Sequence, residues 1–92
     1  MMEPIEIPID GILDLHAFHP KVLRDLLDDY LAECQKRGIF EVRVIHGKGK
    51  GVQRARVRSL LSVDPRVRAM RAAPEDEGGW GATLVFLNGP DK

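Results

Sequence analysis

The chain has 92 residues, its 14 basic and 14 acidic side chains cancel to zero net charge, and it holds a single cysteine, Cys34. This length supports one small domain with one core, which leaves no room for a two-domain cleft or a large buried cofactor. A lone cysteine excludes an internal disulfide and a cysteine-built zinc site, and no apolar run approaches the roughly 18 residues of a membrane span.

The opening MMEPIEIPIDG is acidic where a secretory leader would be basic. The expectation is therefore a soluble, cytoplasmic protein with no membrane partner. GILDLHAF then reads as a first strand, and Pro20 suits the first turn of the helix after it, where a missing amide hydrogen costs nothing. Between Lys21 and Arg37, Val22, Leu23, Leu26, Leu27, Tyr30, Leu31 and Cys34 fall on one stripe opposite Arg24, Asp25, Asp28, Asp29 and Glu33. This is an amphipathic helix, stopped at Gly38. FEVRVIH alternates as a β-branched strand, with Phe40, Val42 and Val44 on one side. A glycine-rich loop leads to VQRARVRSLL, expected as a helix anchored by Val52, Val57, Leu60 and Leu61 with arginines on its outer side. RVRAMRAA and GATLVFL complete the chain as two strands joined by the polar turn PEDEGG. The order β-α-β-α-β-β predicts an α/β two-layer sandwich in which two helices cover a mixed four-stranded sheet.

The charges are segregated although they cancel. From Arg43 to Arg71 there are nine basic residues against the single acid Asp64, a local excess of plus eight that the remainder balances. A basic face for polyanions, turned away from an acidic one, follows from that asymmetry. The acidic outer face of the first helix is the surface a protein-binding role would use.

The loop VIHGKGKG lies between a strand and the start of a helix. Amides freed by Gly47, Gly49 and Gly51, with the positive end of the helix dipole, make a cradle for phosphate, and Lys48 and Lys50 add charge. It matches neither familiar nucleotide loop. Lys50 is followed by Gly51 and Val52 where a mononucleotide loop needs Ser or Thr, and the third glycine comes one residue early for a dinucleotide fingerprint.

Phosphodiester cleavage needs a base, an acid and positive charge for the phosphoryl oxygens. Asp14, His16 and His46, at neighbouring strand ends beside the lysines, can supply that set. The same groups serve equally as backbone-bonding residues at strand ends, and the spacing permits a divalent metal such as Mg2+ or Mn2+. His19, just before Pro20, is expected to start the helix. Trp80, in GGWGAT, is placed either to stack on a base or to lie as an apolar lid on the sheet end.

LDLHAF at Leu13 to Phe18, HGKGKG at His46 to Gly51 and GGWGATLVFL at Gly78 to Leu87 together resemble the Smr domain family. That domain is found at the C-terminus of MutS2-type proteins and as short stand-alone proteins. The resemblance implies residues 11–88 as the domain, 1–10 as an N-terminal extension and 89–92 as a tail. It implies a fold like the C-terminal domain of translation initiation factor 3, and a DNA-nicking or RNA-cleaving activity present in several members. The family's acid and histidine map onto Asp14 and His16, its H-G-x-G motif onto His46, Gly47 and Gly49, and its threonine onto Thr83. Ala17 stands where the family usually has glycine. Two functional readings follow: an endonuclease using Asp14, His16 and His46, with phosphate gripped by the loop together with Arg54 and Arg58; or a non-cleaving module for branched DNA, structured RNA or the ribosome.

Overall fold

The computed structural model describes residues 8–47 and 51–89. Ile12–Asp14 forms β1, Leu23–Lys36 forms α1, Glu41–Ile45 forms β2, Val52–Ser62 forms α2, Val67–Ala72 forms β3 and Ala82–Leu87 forms β4. The four strands make one sheet in the order β1-β2-β4-β3. β1 runs parallel to β2, and β4 runs antiparallel to both β2 and β3. This is the expected mixed sheet with two helices.

Strand alternation decides what each face holds. Leu13, Val42, Val44, Val85 and Leu87 pack with Leu23, Leu27, Leu31, Val57 and Leu61, which places both helices against one face. The opposite face is thinner: Ala82, Leu84 and Ala73 are buried with Ile45 and Phe86 beside them. Arg71 covers Phe86 there, its guanidinium 5.6 Å from the ring centre. The phenolic oxygen of Tyr30 accepts the Gly11 amide at 3.0 Å, tying α1 to the start of β1.

The ends of α1 follow from local chemistry. Pro20–Val22 forms a 3-10 turn ahead of it, and the His19 ring accepts the Lys21 amide, so His19 does start the helix. That turn carries Val22 off the apolar stripe, and it is 43% exposed. At the other end Gly38 takes φ +75°, the Ile39 amide bonds the Cys34 carbonyl at 2.8 Å, and the Gly38 amide bonds that of Gln35 at 3.2 Å. This pair of bonds is the Schellman stop, which glycine accommodates without a Cβ clash.

α2 departs from expectation in which face it buries. Val57 and Leu61 are its buried residues, while Val52 is 61% exposed. Five residues at about 100° each put Val52 about 140° away from Val57. Arg54 and Arg58, by contrast, are half-buried and share the stripe of Val57 and Leu61 rather than lying outside it.

The turn after α2 is fastened to α1 by one arginine. Arg66 Nε and Nη2 donate to the two oxygens of Asp64 at 3.0 and 2.7 Å, and Nη2 also reaches Asp28 Oδ1 at 2.8 Å. The Arg66 side chain holds Asp64 below the usual carboxylate range, although burial opposes it. β3 then runs along the sheet edge with a register shift between Val67 and Ala69. The polar turn forms two short 3-10 segments, Glu75–Glu77 and Gly79–Gly81.

Candidate functional site

The C-terminal ends of the parallel strands β1 and β2 lie side by side, with the start of α2 beyond them. In α/β sheets this edge is where ligands gather, because loops leave it and helix N-termini face it. The chain leaves β1 through a tight turn: Asp14 Oδ1 accepts the His16 amide at 3.1 Å, and the Phe18 amide bonds the Leu15 carbonyl at 3.0 Å. Leu15 is buried and anchors the turn, so His16 is turned to solvent with its side chain 60% exposed. The ring nitrogen Nδ1 of His16 sits 2.5 Å from Asp14 Oδ1. Partial burial pushes the Asp14 carboxyl up, but the bonds from the His16 ring and amide outweigh it and hold it below the usual range.

Asp14 is therefore an anion that accepts twice from one residue. With Nδ1–H donated to the carboxylate, the lone pair of the neutral ring stays on Nε2 and points away from the pair.

His46 is differently placed. It continues the inward alternation of Val42 and Val44 and is 2% exposed. Its Nδ1 lies 3.1 Å from the Gly47 carbonyl, an acceptor, which makes Nδ1 the donor. Nε2 then accepts the hydroxyl hydrogen of Thr83, 2.9 Å away on β4. The Thr83 oxygen in turn accepts Arg58 Nε–H at 3.4 Å. Burial lowers the His46 pKa and the charges of Arg54 and Arg58 lower it further, against the opposing effect of the Gly47 carbonyl. His46 is thus a neutral imidazole engaged at both nitrogens, joining β2, β4 and α2.

Gly47 and Gly51 flank the loop at φ +88° and +84°. A Cβ on Gly47 would stand 3.3 Å from that of His16, so the glycine lets the loop lie against the turn carrying the exposed pair. Ala17 sits exposed in that turn, and among the described residues no amino acid other than glycine has positive φ. Alanine therefore imposes no backbone strain at the position where the family usually has glycine. Gln53 Nε2 reaches the Leu15 carbonyl at 3.5 Å, bringing the first turn of α2 to the same place. Lys48, Gly49 and Lys50 lie outside the described residues.

The last of the three motifs closes the site from the β4 side. The Gly81 carbonyl accepts the amides of both His46 and Gly47, at 2.9 and 3.0 Å. Gly78, at φ +111°, permits this turn because a Cβ there would come within 2.8 Å of Ala82 Cβ. Asp14, His16, His46, Gly47, Gly51, Arg54, Arg58 and Thr83 thus belong to one end of the molecule, with the exposed acid–histidine pair on its surface and the His46–Thr83–Arg58 chain beneath. Among the described residues no three His, Cys, Asp or Glu side chains cluster as a metal would require. No helix among the described residues is long and apolar enough to cross a membrane.

Comparison with known proteins agrees with this fold. The Smr domain profile matches residues 13–88. The crystal structure of the Smr domain of Thermus thermophilus MutS2 superposes with a TM-score of 0.80 at 34% identity, covering 86% of this chain and 99% of that one. Endonuclease MutS2 of Thermomicrobium roseum is 37% identical over 86% of this chain, which spans 10% of that relative. Ribosome rescue factor SmrB of Aeromonas hydrophila is 37% identical over 88% of this chain, which spans 47% of it. The matched stretch therefore covers less than half of either relative. A profile match over most of its length, a shared fold and the three motifs meeting at one sheet edge show that the chain belongs to the Smr domain family.

Proposed function

We propose that the protein binds nucleic acid through its basic, glycine-flanked edge and cleaves phosphodiester bonds there, with Asp14 and His16 as the reacting pair. The observation that supports this most is the solvent-exposed hydrogen bond of 2.5 Å between His16 Nδ1 and Asp14. A carboxylate that fixes the tautomer leaves His16 Nε2 as a base able to take the proton of an attacking hydroxyl. The nucleophile's oxygen then attacks phosphorus, the bond to the leaving oxygen breaks, that oxygen takes a proton from solvent, and His16 returns its proton to solvent. Lys48 and Lys50 from the loop supply charge for the phosphoryl oxygens, and the Gly47 and Gly51 backbones allow close approach. The proposed part of His46 is positioning: buried and neutral, it holds Gly47 on one side and, through Thr83, Arg58 on the other. The names of two relatives, an endonuclease and a ribosome rescue factor, suit a nucleic-acid target.

The non-cleaving module is favoured by a different observation, that among the described residues no third His, Cys, Asp or Glu joins Asp14 and His16 in a metal-holding cluster. Nicking of supercoiled plasmid and cleavage of a structured RNA, measured for wild type and His16→Ala beside salt-dependent binding, separates the two readings. The expected result is a rate loss of about 10²- to 10⁴-fold in His16→Ala with affinity retained. Salt-sensitive binding without cleavage by the wild type assigns the protein to the binding module instead, and equal cleavage by both proteins removes His16 from the chemistry.

A further inference from the structure

Trp80 is the single tryptophan of the chain, and it is 51% exposed. A large apolar ring left this open next to a basic site has a structural cost that its surroundings do not explain as core packing. The ring is nonetheless held firmly. It lies in the Gly79–Gly81 turn, whose last carbonyl accepts the His46 and Gly47 amides. The Arg54 guanidinium sits 4.0 Å over the ring centre, and among the described residues its buried Nε has no hydrogen-bond partner, so the group is held against the indole chiefly by packing. On the loop side, a Cβ at Gly51 would come 3.8 Å from Trp80 Cζ2, which means the indole borders the start of α2 directly.

We propose that Trp80, backed by Arg54, is a stacking platform for an unpaired nucleobase, and that the protein's substrate class is single-stranded or unpaired nucleic acid rather than intact duplex. This deepens the nucleic-acid reading above and rests on it. An aromatic face attracts any base, and a guanidinium on the ring adds charge for the neighbouring phosphate. The base faces inside a duplex are stacked on one another and leave no free π-face, so a platform beside a phosphate-binding edge selects strands whose bases can splay outward. The tie through Gly81 fixes the platform relative to Gly47, so base and phosphate would be gripped in one register.

The lone tryptophan provides its own reporter, since stacking on a base quenches indole fluorescence. The test titrates the protein with oligo(dT), with oligo(U), with an abasic deoxyribose-phosphate strand of equal length, and with a hairpin duplex, reading both fluorescence and the anisotropy of labelled strands. The expected result is quenching by the two base-bearing single strands and not by the abasic one, with affinity for the base-bearing strands higher by about 5- to 150-fold. Trp80→Ala should erase that affinity difference while Trp80→Phe keeps most of it, both read by anisotropy after circular dichroism establishes folding. The wild-type comparison stands by itself if Trp80→Ala does not fold. Equal affinity for base-bearing and abasic strands, or tighter binding of the hairpin, overturns the platform and leaves the nucleic-acid reading intact. Failure of every strand to bind at low salt overturns both.

Discussion

Two histidines that leave neighbouring strands at the same sheet edge are treated in opposite ways by the fold. The His16 side chain is 60% exposed and paired with Asp14, whereas His46 is 2% exposed and occupied at both ring nitrogens. The consequence for His46 is a dependence of stability on pH. Its folded pKa lies below the ordinary histidine value because burial, then Arg54 and Arg58, disfavour the cation. The unfolded chain thus binds a proton at a pH where the folded chain does not, so the contribution is full above about pH 6.5 and is lost as pH falls toward the folded value. Urea unfolding between neutral and mildly acidic pH should show this slope in the wild type and a flatter one in His46→Asn; matching slopes would remove His46 as the source. The difference between the histidines was legible in part. His46 keeps the parity of Val42 and Val44, which points it inward, and that alternation is written in the sequence. The exposure of His16 depends on the Asp14 turn and on Leu15 filling the core, contacts that strand periodicity alone does not reveal.

At the scale of elements, α2 shows why charge is a poor guide to which face of a helix looks outward. Arg54, Val57, Arg58 and Leu61 are spaced as one stripe, and the two arginines use their stems on the core side while their guanidinium groups reach Trp80 and Thr83. The spacing i, i+3, i+4, i+7 is readable; reading arginine as solvent-facing hid it. The three later strands, the stop at Gly38 and the β-α-β-α-β-β order were legible because periodicity and glycine chemistry act locally, whereas the first strand, read over GILDLHAF, is cut to Ile12–Asp14 by the turn at Asp14. The turn joining α2 to β3 was not, since its stability comes from Arg66 bridging Asp64 to Asp28 across 38 residues of sequence. Asp64→Asn should lower stability at neutral pH by about 1–3 kcal/mol, because it weakens a charge-assisted, largely shielded pair. The folded pKa of Asp64 is depressed, so this contribution is present above about pH 3.9 and disappears as pH falls through the lower folded value. Thermal unfolding of wild type and Asp64→Asn should therefore converge in acid, and a gap that persists there would argue against the ion pair as its origin.

The molecule as a whole divides its charge, an excess of plus eight between Arg43 and Arg71 against an equal negative excess elsewhere. Net neutrality therefore says little about where along the chain the positive charge is concentrated. Binding to single-stranded nucleic acid should weaken with salt in proportion to the phosphates contacted, and Arg58→Gln should lower the slope of log K against log salt by about 1. An unchanged slope would mean that Arg58 serves Thr83 and never meets the backbone. The two outer strands have a consequence of another kind. β1 is three residues long, and β3 carries the register shift between Val67 and Ala69 with Arg68 and Arg71 exposed along it. Neither margin offers the long, flat row of unpaired amides that recruits a neighbouring chain, and the arginines repel like copies at close range. Edges of this kind keep neighbouring copies from pairing strand to strand wherever the protein is concentrated.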